Sequence, residues 1–94
     1  MFLIVLTYVK PLEEVDKLLA DHLAYLDRNY AQGRFLLSGV RVPRNGGLIL
    51  SRGDSTEEIE AVVATDPLIA EGVATYELFQ FEPGRRVKEL DNLL

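Results

Sequence analysis

The chain has 94 residues, a net charge of −5, one histidine and no cysteine. That length makes one domain with a single core. The missing thiols exclude disulfides, thiolate chemistry and cysteine-based zinc sites. The acidic balance, with no lysine or arginine run against it, argues against a nucleic-acid partner.

The opening "MFLIVLTYV" is too short to span a bilayer and lacks the basic start and cleavage site of a signal peptide. It reads as no membrane segment, in a cytoplasmic chain. Phe2–Val9 is instead a strand with both faces apolar: Phe2, Ile4, Leu6 and Tyr8 on one, Leu3, Val5 and Val9 on the other. Pro11 suits the first turn of a helix, and Leu12, Val15, Leu18, Leu19, Leu23, Leu26 and Tyr30 recur at helical spacing up to a stop at Gly33. "RFLLSGVRV", Arg34–Val42, reads as a second strand. "PRNGG" is turn chemistry, with Asn-Gly as its hairpin signal, and "GLILSR" is an antiparallel third strand. Ser55 and Glu58 form a capping box before a helix whose stripe is Ile59, Val62 and Val63. Asp66-Pro67 interrupts it, and one more helical turn closes at Gly72. Val73–Phe81 alternates as a fourth strand, and "RRVKELDNLL" is a tail with a short helix.

The order β-α-β-β-α-β predicts an α+β, ferredoxin-like fold: a four-stranded antiparallel sheet with two helices on one face. Residues 1–94 form one domain, with a core of 1–83 and a tail of 84–94. Two helices cover one face only, and the alternate leucines and valines of the first strand face the other way. A second copy, sheet against sheet, is the simplest cover, so a homodimer is expected.

His22 stands in "DHLAYL". At about 100° per residue it falls inside the apolar arc of the first helix, turned toward the sheet and away from water. A buried imidazole must find partners. A carboxylate on one ring nitrogen would fix the tautomer and leave the other nitrogen for a substrate. Asp66, at the break before the last strand, is the candidate, because the second helix of this fold lies beside the first. Two plainer readings stand next to these: Asp66 as the cap of the turn that Pro67 opens, and His22 as a satisfied core histidine. Gly39 marks a bulge or a close approach, with Ser38 offering a hydroxyl; equally, Gly39 makes room for a helix side chain. Arg41 and Arg44 flank Pro43. They meet an acidic ligand at a pocket mouth or are solvated hairpin charges. The tripeptide Arg52–Asp54 matches a cell-adhesion motif by letters alone.

Taken together, "H..YL", "G.FL.SG", "PR.GG" and the closing "TDPLIAEGVATYELFQFEP" are similar to YCII-related domain proteins over about residues 1–83. The resemblance implies the dimeric α+β barrel, in which two ferredoxin-like protomers join by their sheets. It also implies an active-site pair at His22 and Asp66, with Ser38 in the same pocket. The wider superfamily includes muconolactone isomerases and a dehydrochlorinase, which work on small ring acids or hydroxylated aromatics by proton transfer. Two positions depart from the pattern: Leu19, where many members carry arginine, and Val40, where many carry proline. Arg41 or Arg44 would have to replace that missing charge. The resulting expectation is a small enzyme that performs isomerisation or elimination on a small cyclic or aromatic acid. His22 would be the acid-base group, Asp66 its orienting partner, and Ser38, Gly39, Arg41 and Arg44 the substrate-binding residues. No cofactor is expected, and no metal site within one protomer, since there is only one histidine. The alternative is a non-catalytic, ligand-binding dimer with the same pocket.

Overall fold

The structure, a computed structural model, describes residues 1–94. Its strands are β1 (Phe2–Tyr8), β2 (Phe35–Val40), β3 (Gly46–Ser51) and β4 (Ala74–Gln80). They form one antiparallel sheet in the order β2-β3-β1-β4, the ferredoxin-like arrangement. Each crossover between parallel strands carries two helical pieces: α1 (Leu12–Lys17) and α2 (Leu19–Ala31) after β1, α3 (Thr56–Val63) and α4 (Pro67–Ala70) after β3.

Phe2, Ile4 and Leu6 of β1 are buried with Tyr25, Phe35, Ile49, Ile59 and Val63 in the main core. A smaller cluster joins Val15 of α1 to Leu68, Val73 and Ala74. The two clusters account for the first departure from expectation. One continuous helix is predicted over Pro11–Tyr30, yet the chain breaks at Leu18, whose φ of −103° and ψ of 0° leave the helical well. The break lets α1 pack Val15 toward α4 while α2 turns a different face to the sheet. That face is also not the leucine stripe. Tyr25 and Asn29 are the buried residues of α2, whereas Leu23 and Tyr30 are 49% and 38% exposed.

The hairpin is likewise built differently from the predicted Asn-Gly turn. Neither Asn45 nor Gly46 has the positive φ that a type I′ turn requires. Arg41–Asn45 forms a five-residue loop containing a cis Val42–Pro43 bond, closed by Arg41 N–H donating to the Gly46 carbonyl at 2.9 Å. Gly46 belongs to β3. A Cβ there would lie 1.8 Å from the Leu6 carbonyl oxygen, so glycine is needed for β1 and β3 to pair.

β2 carries an extra residue. Phe35 pairs with Ser51 and Leu37 with Leu50, which leaves Leu36 as a bulge. Strict alternation would put Phe35 and Ser38 on opposite faces. The bulge changes the phase, so Ser38, opposite buried Ile49, shares the helix-covered face with Phe35.

The second crossover follows expectation closely. Ser55 Oγ caps α3 by accepting from Glu58 N–H at 3.2 Å. The return bond reaches one residue further out than in a standard capping box, with Glu58 Oε2 accepting from Asp54 N–H at 2.8 Å. Gly72 closes α4 with φ of +72°. The tail folds into a single 3-10 turn, Lys88–Leu90. Arg52 spans the Gly33 and Leu93 carbonyls, which engages its guanidinium internally.

The uncovered sheet face is apolar. Leu3 lies between Leu50 and Phe79, and Leu50 is flanked in turn by Leu37. Leu37 is 65% and Phe79 51% exposed in the single chain. No helix is long and apolar enough to cross a membrane.

Candidate functional site

The site grows from three local features. First, α2 turns His22 inward one helical turn ahead of Tyr25; their rings stack with centroids 5.9 Å apart and planes at 29°. Second, Asp66 sits in extended conformation at the N-cap of α4, with Pro67 at the first helical position. Its Oδ1 accepts from Leu68 N–H at 3.0 Å, satisfying one of the free amides of the helix start. Third, the Leu36 bulge brings Ser38 to the helix side of β2.

His22 Nδ1 and Asp66 Oδ1 are 2.9 Å apart. The Asp66 side chain is 1% exposed and that of His22 13%. With the carboxylate ionised, both of its partners must be donors, so Nδ1 carries a proton, and in the neutral imidazole Nε2 then presents a lone pair. Nε2 makes no bond to the protein. The other carboxylate oxygen, Oδ2, is buried without any hydrogen-bond partner. The buried negative charge is therefore answered by only two hydrogen bonds, and it faces the ring on which positive charge develops when Nε2 takes a proton.

His22 lines a cavity of about 610 Å³ between α2 and the sheet. Leu19, Leu23 and Leu26 of α2 form one wall and Ser38, Val40 and Leu48 the other. Nine of the fifteen lining residues are hydrophobic, so a charged group inside would meet few compensating partners. The predicted leucine stripe is thus real, but Leu19 and Leu23 wall a cavity and are not core residues.

The remaining candidates separate. Ser38 and Gly39 both border the cavity, and Ser38 Oγ lies 2.6 Å from Tyr30 Oη. Gly39 neither bulges nor makes room for a helix side chain: the bulge is at Leu36, and a Cβ on Gly39 would meet nothing within 4 Å. Arg44 borders the cavity at its solvent-exposed rim, held by Asp16 Oδ1 at 2.6 Å. The bond to Asp16, more than any other influence, raises the guanidinium's already high pKa. Arg41 does not border the cavity. Its Nη1 donates to Thr7 Oγ1 at 3.0 Å and to the Leu6 carbonyl at 3.4 Å, so it fastens the hairpin to β1.

Tyr25, buried beneath the imidazole, carries no signal in the hydrophobic pattern of the sequence. Burial, and then the charge of Asp66, push its phenol well above the usual tyrosine range. Beneath the imidazole it is a neutral ring. Tyr8 also borders the cavity, close to Arg44.

The model of the YCII-related domain matches residues 1–82. The chain belongs to the YCII-related domain family. No curated protein sequence matches it. Among solved structures it is similar to 5-chloro-2-hydroxyhydroquinone dehydrochlorinase (TftG) from Burkholderia phenoliruptrix AC1100, determined in complex with 2,5-dihydroxybenzoquinone. The similarity covers 87% of this chain and 94% of that one, with a TM-score of 0.73 and 19% identity. At that identity the likeness is one of fold, and it extends over nearly the whole YCII-related chain.

Proposed function

We propose that this YCII-related protein is a small enzyme that moves a proton on a small cyclic or aromatic acid, in an isomerisation or an elimination. The observation that carries the reading is the Nδ1–Oδ1 contact of 2.9 Å, with Nε2 turned to an apolar cavity of about 610 Å³. His22 is the general base and then the general acid. Asp66 holds the ring in the tautomer that leaves Nε2 basic and stabilises it once charged. The leucine walls accept a flat apolar ring, Ser38 and Gly39 border the place of a substrate oxygen, and Arg44 meets an acidic group at the rim. The dehydrochlorinase of the same fold, bound to a hydroxylated ring compound, supports the substrate class.

The test is turnover of muconolactones and chlorinated hydroquinones by the wild type, by His22→Ala and by His22→Gln. A loss of about 10²–10⁴-fold is expected, the usual worth of a positioned acid-base group. Turnover equal to wild type in both variants would remove His22 from the chemistry, and a wild type that binds these compounds without turning them over would leave a ligand-binding domain.

We further propose that the protein is a homodimer through its apolar sheet face. Leu3, Leu37, Leu50 and Phe79 form a contiguous unpartnered surface there, and an apolar patch of this kind is uncommon on a monomer. Sedimentation equilibrium should give twice the chain mass, and Leu37→Lys should return it to one. A wild-type protein sedimenting as one chain at micromolar concentration would overturn the dimer.

A further inference from the structure

We propose that Tyr30 is a positioning residue: its phenol donates to Ser38 Oγ and thereby turns the serine proton into the cavity, toward an anionic substrate oxygen. This rests on the proposed proton-transfer role of the cavity, which it deepens by naming what receives the charge.

The two oxygens are 2.6 Å apart, at the short end of the O–H···O range. Only one of the two hydroxyl protons can lie between them. A phenol is intrinsically a more acidic hydroxyl than an alkanol and the better donor; the alkyl oxygen of serine is the better acceptor. Ser38 then keeps its own proton free. It borders the cavity together with His22, whereas Tyr30 does not. The free proton therefore serves the cavity.

The core fixes the direction of the phenol. The Tyr30 ring stands edge-to-face on buried Phe35, with centroids 6.2 Å apart and planes at 88°. Because the Leu36 bulge puts Phe35 and Ser38 on one face, the last turn of α2 meets both at once: a ring to rest on and a hydroxyl to hold.

The chemistry follows. When Nε2 takes a proton, the Nε2–H bond forms, the electron pair of the broken substrate bond moves onto the substrate oxygen, and no covalent bond joins substrate to protein. Charge on that oxygen strengthens donation from Ser38, which in turn strengthens donation from Tyr30, as hydrogen bonds in series polarise one another. The substrates that use this arrangement are ring compounds whose conjugate base carries its charge on oxygen, namely phenols and enolisable ketones or lactones.

The probe is 4-nitrophenol, whose visible absorbance separates phenol from phenolate. Its ionisation midpoint when bound to the wild type is the reference against which the variants are read. Tyr30→Phe, which keeps the ring on Phe35, should raise the bound midpoint by about half a pH unit, a threefold change in ionisation. Ser38→Ala should raise it by about one unit, consistent with the loss of one hydrogen bond to a charged group. The double variant should move no further than Ser38→Ala alone, because Tyr30 acts through the serine. A Tyr30→Phe midpoint equal to wild type, or additive shifts in the double variant, would each overturn the relay. The optical readout needs no turnover, so its failure and that of the His22 role are distinguishable.

Discussion

The two ends of α2 each bury polar groups, and they do it in opposite ways. Near the C-terminal end, Asn29 is 6% exposed, and both polar atoms of its side chain are bonded. Its Nδ2 donates to the Tyr25 carbonyl at 2.9 Å, and its Oδ1 accepts from Arg34 Nη1 at 2.6 Å; Arg34 is also held by Gln32. Near the N-terminal end, Asp66 leaves Oδ2 with no partner, and His22 leaves Nε2 facing a cavity. The closed network is what structure requires of a buried polar group. The open one exceeds that requirement, since an N-cap alone needs neither an imidazole nor an orphaned oxygen. Unspent hydrogen-bonding capacity beside empty space separates a site from a strut.

The sharpest way to break this contrast is to delete each carbonyl-bearing side chain. Asp66→Ala should lose about 3 kcal/mol of stability: about 1 from the helix cap and the rest from a half-buried imidazole left without its partner. For a domain of this size that is a fall of roughly 12–24 °C in Tm. Asn29→Ala should lose about 2 kcal/mol by the same reasoning about stranded partners. It should leave turnover per folded molecule at the wild-type value, whereas Asp66→Ala should lower it along with the stability. Denaturant titration and single-substrate kinetics on both variants would decide. Equal kinetic losses from both would erase the distinction drawn here.

A smaller effect reads the residue that touches both networks. Tyr25 stacks on His22 and offers its carbonyl to Asn29. Burial and then the Asp66 charge raise its phenol pKa in the folded state. The stability linked to this group is whole below about pH 10, where the unfolded chain begins to ionise. Above that, the unfolded state sheds a proton that the folded state keeps. Stability should therefore fall by up to about 1.4 kcal/mol per pH unit until the folded phenol titrates too. Tyr25→Phe should remove this part of the alkaline slope; a slope identical to wild type would place the phenol in water.

Much of the architecture was legible from residues. Alternation in β1 and the β-α-β-β-α-β order predicted the sheet and its one-sided cover, and the Ser55 and Asp66 caps are where their side chains place them. The arc containing His22 pointed inward, and the helix break beside the first helix singled out Asp66, which the resemblance also implied. Other features depend on tertiary choices. Leucine periodicity marks an apolar surface, but does not say whether core or cavity lies against it, and Leu19 and Leu23 face a cavity. Tyr25 took a core-facing position through its ring against Phe35, and Asn29 because its amide finds partners there, which no pattern of hydrophobicity records. The Asn-Gly pair looked like a turn, yet the constraint at Gly46 is the Leu6 carbonyl from another strand. Arg41 and Arg44 are equivalent as letters. Only the path of the loop sends one to Thr7 and the other to the cavity rim.

The surplus residue in β2 has an evolutionary consequence. From Phe35 to Ser38 the chain keeps a parity that an unbroken strand cannot have. Removing the codon for Leu36 would leave a strand able to seat the phenylalanine or the serine inward, but not both. Folding would choose the phenylalanine, and the protein would survive with its hydroxyl pointed at the outside world. A single in-frame deletion would thus take the Ser38 hydroxyl from the cavity while leaving the sheet its shape.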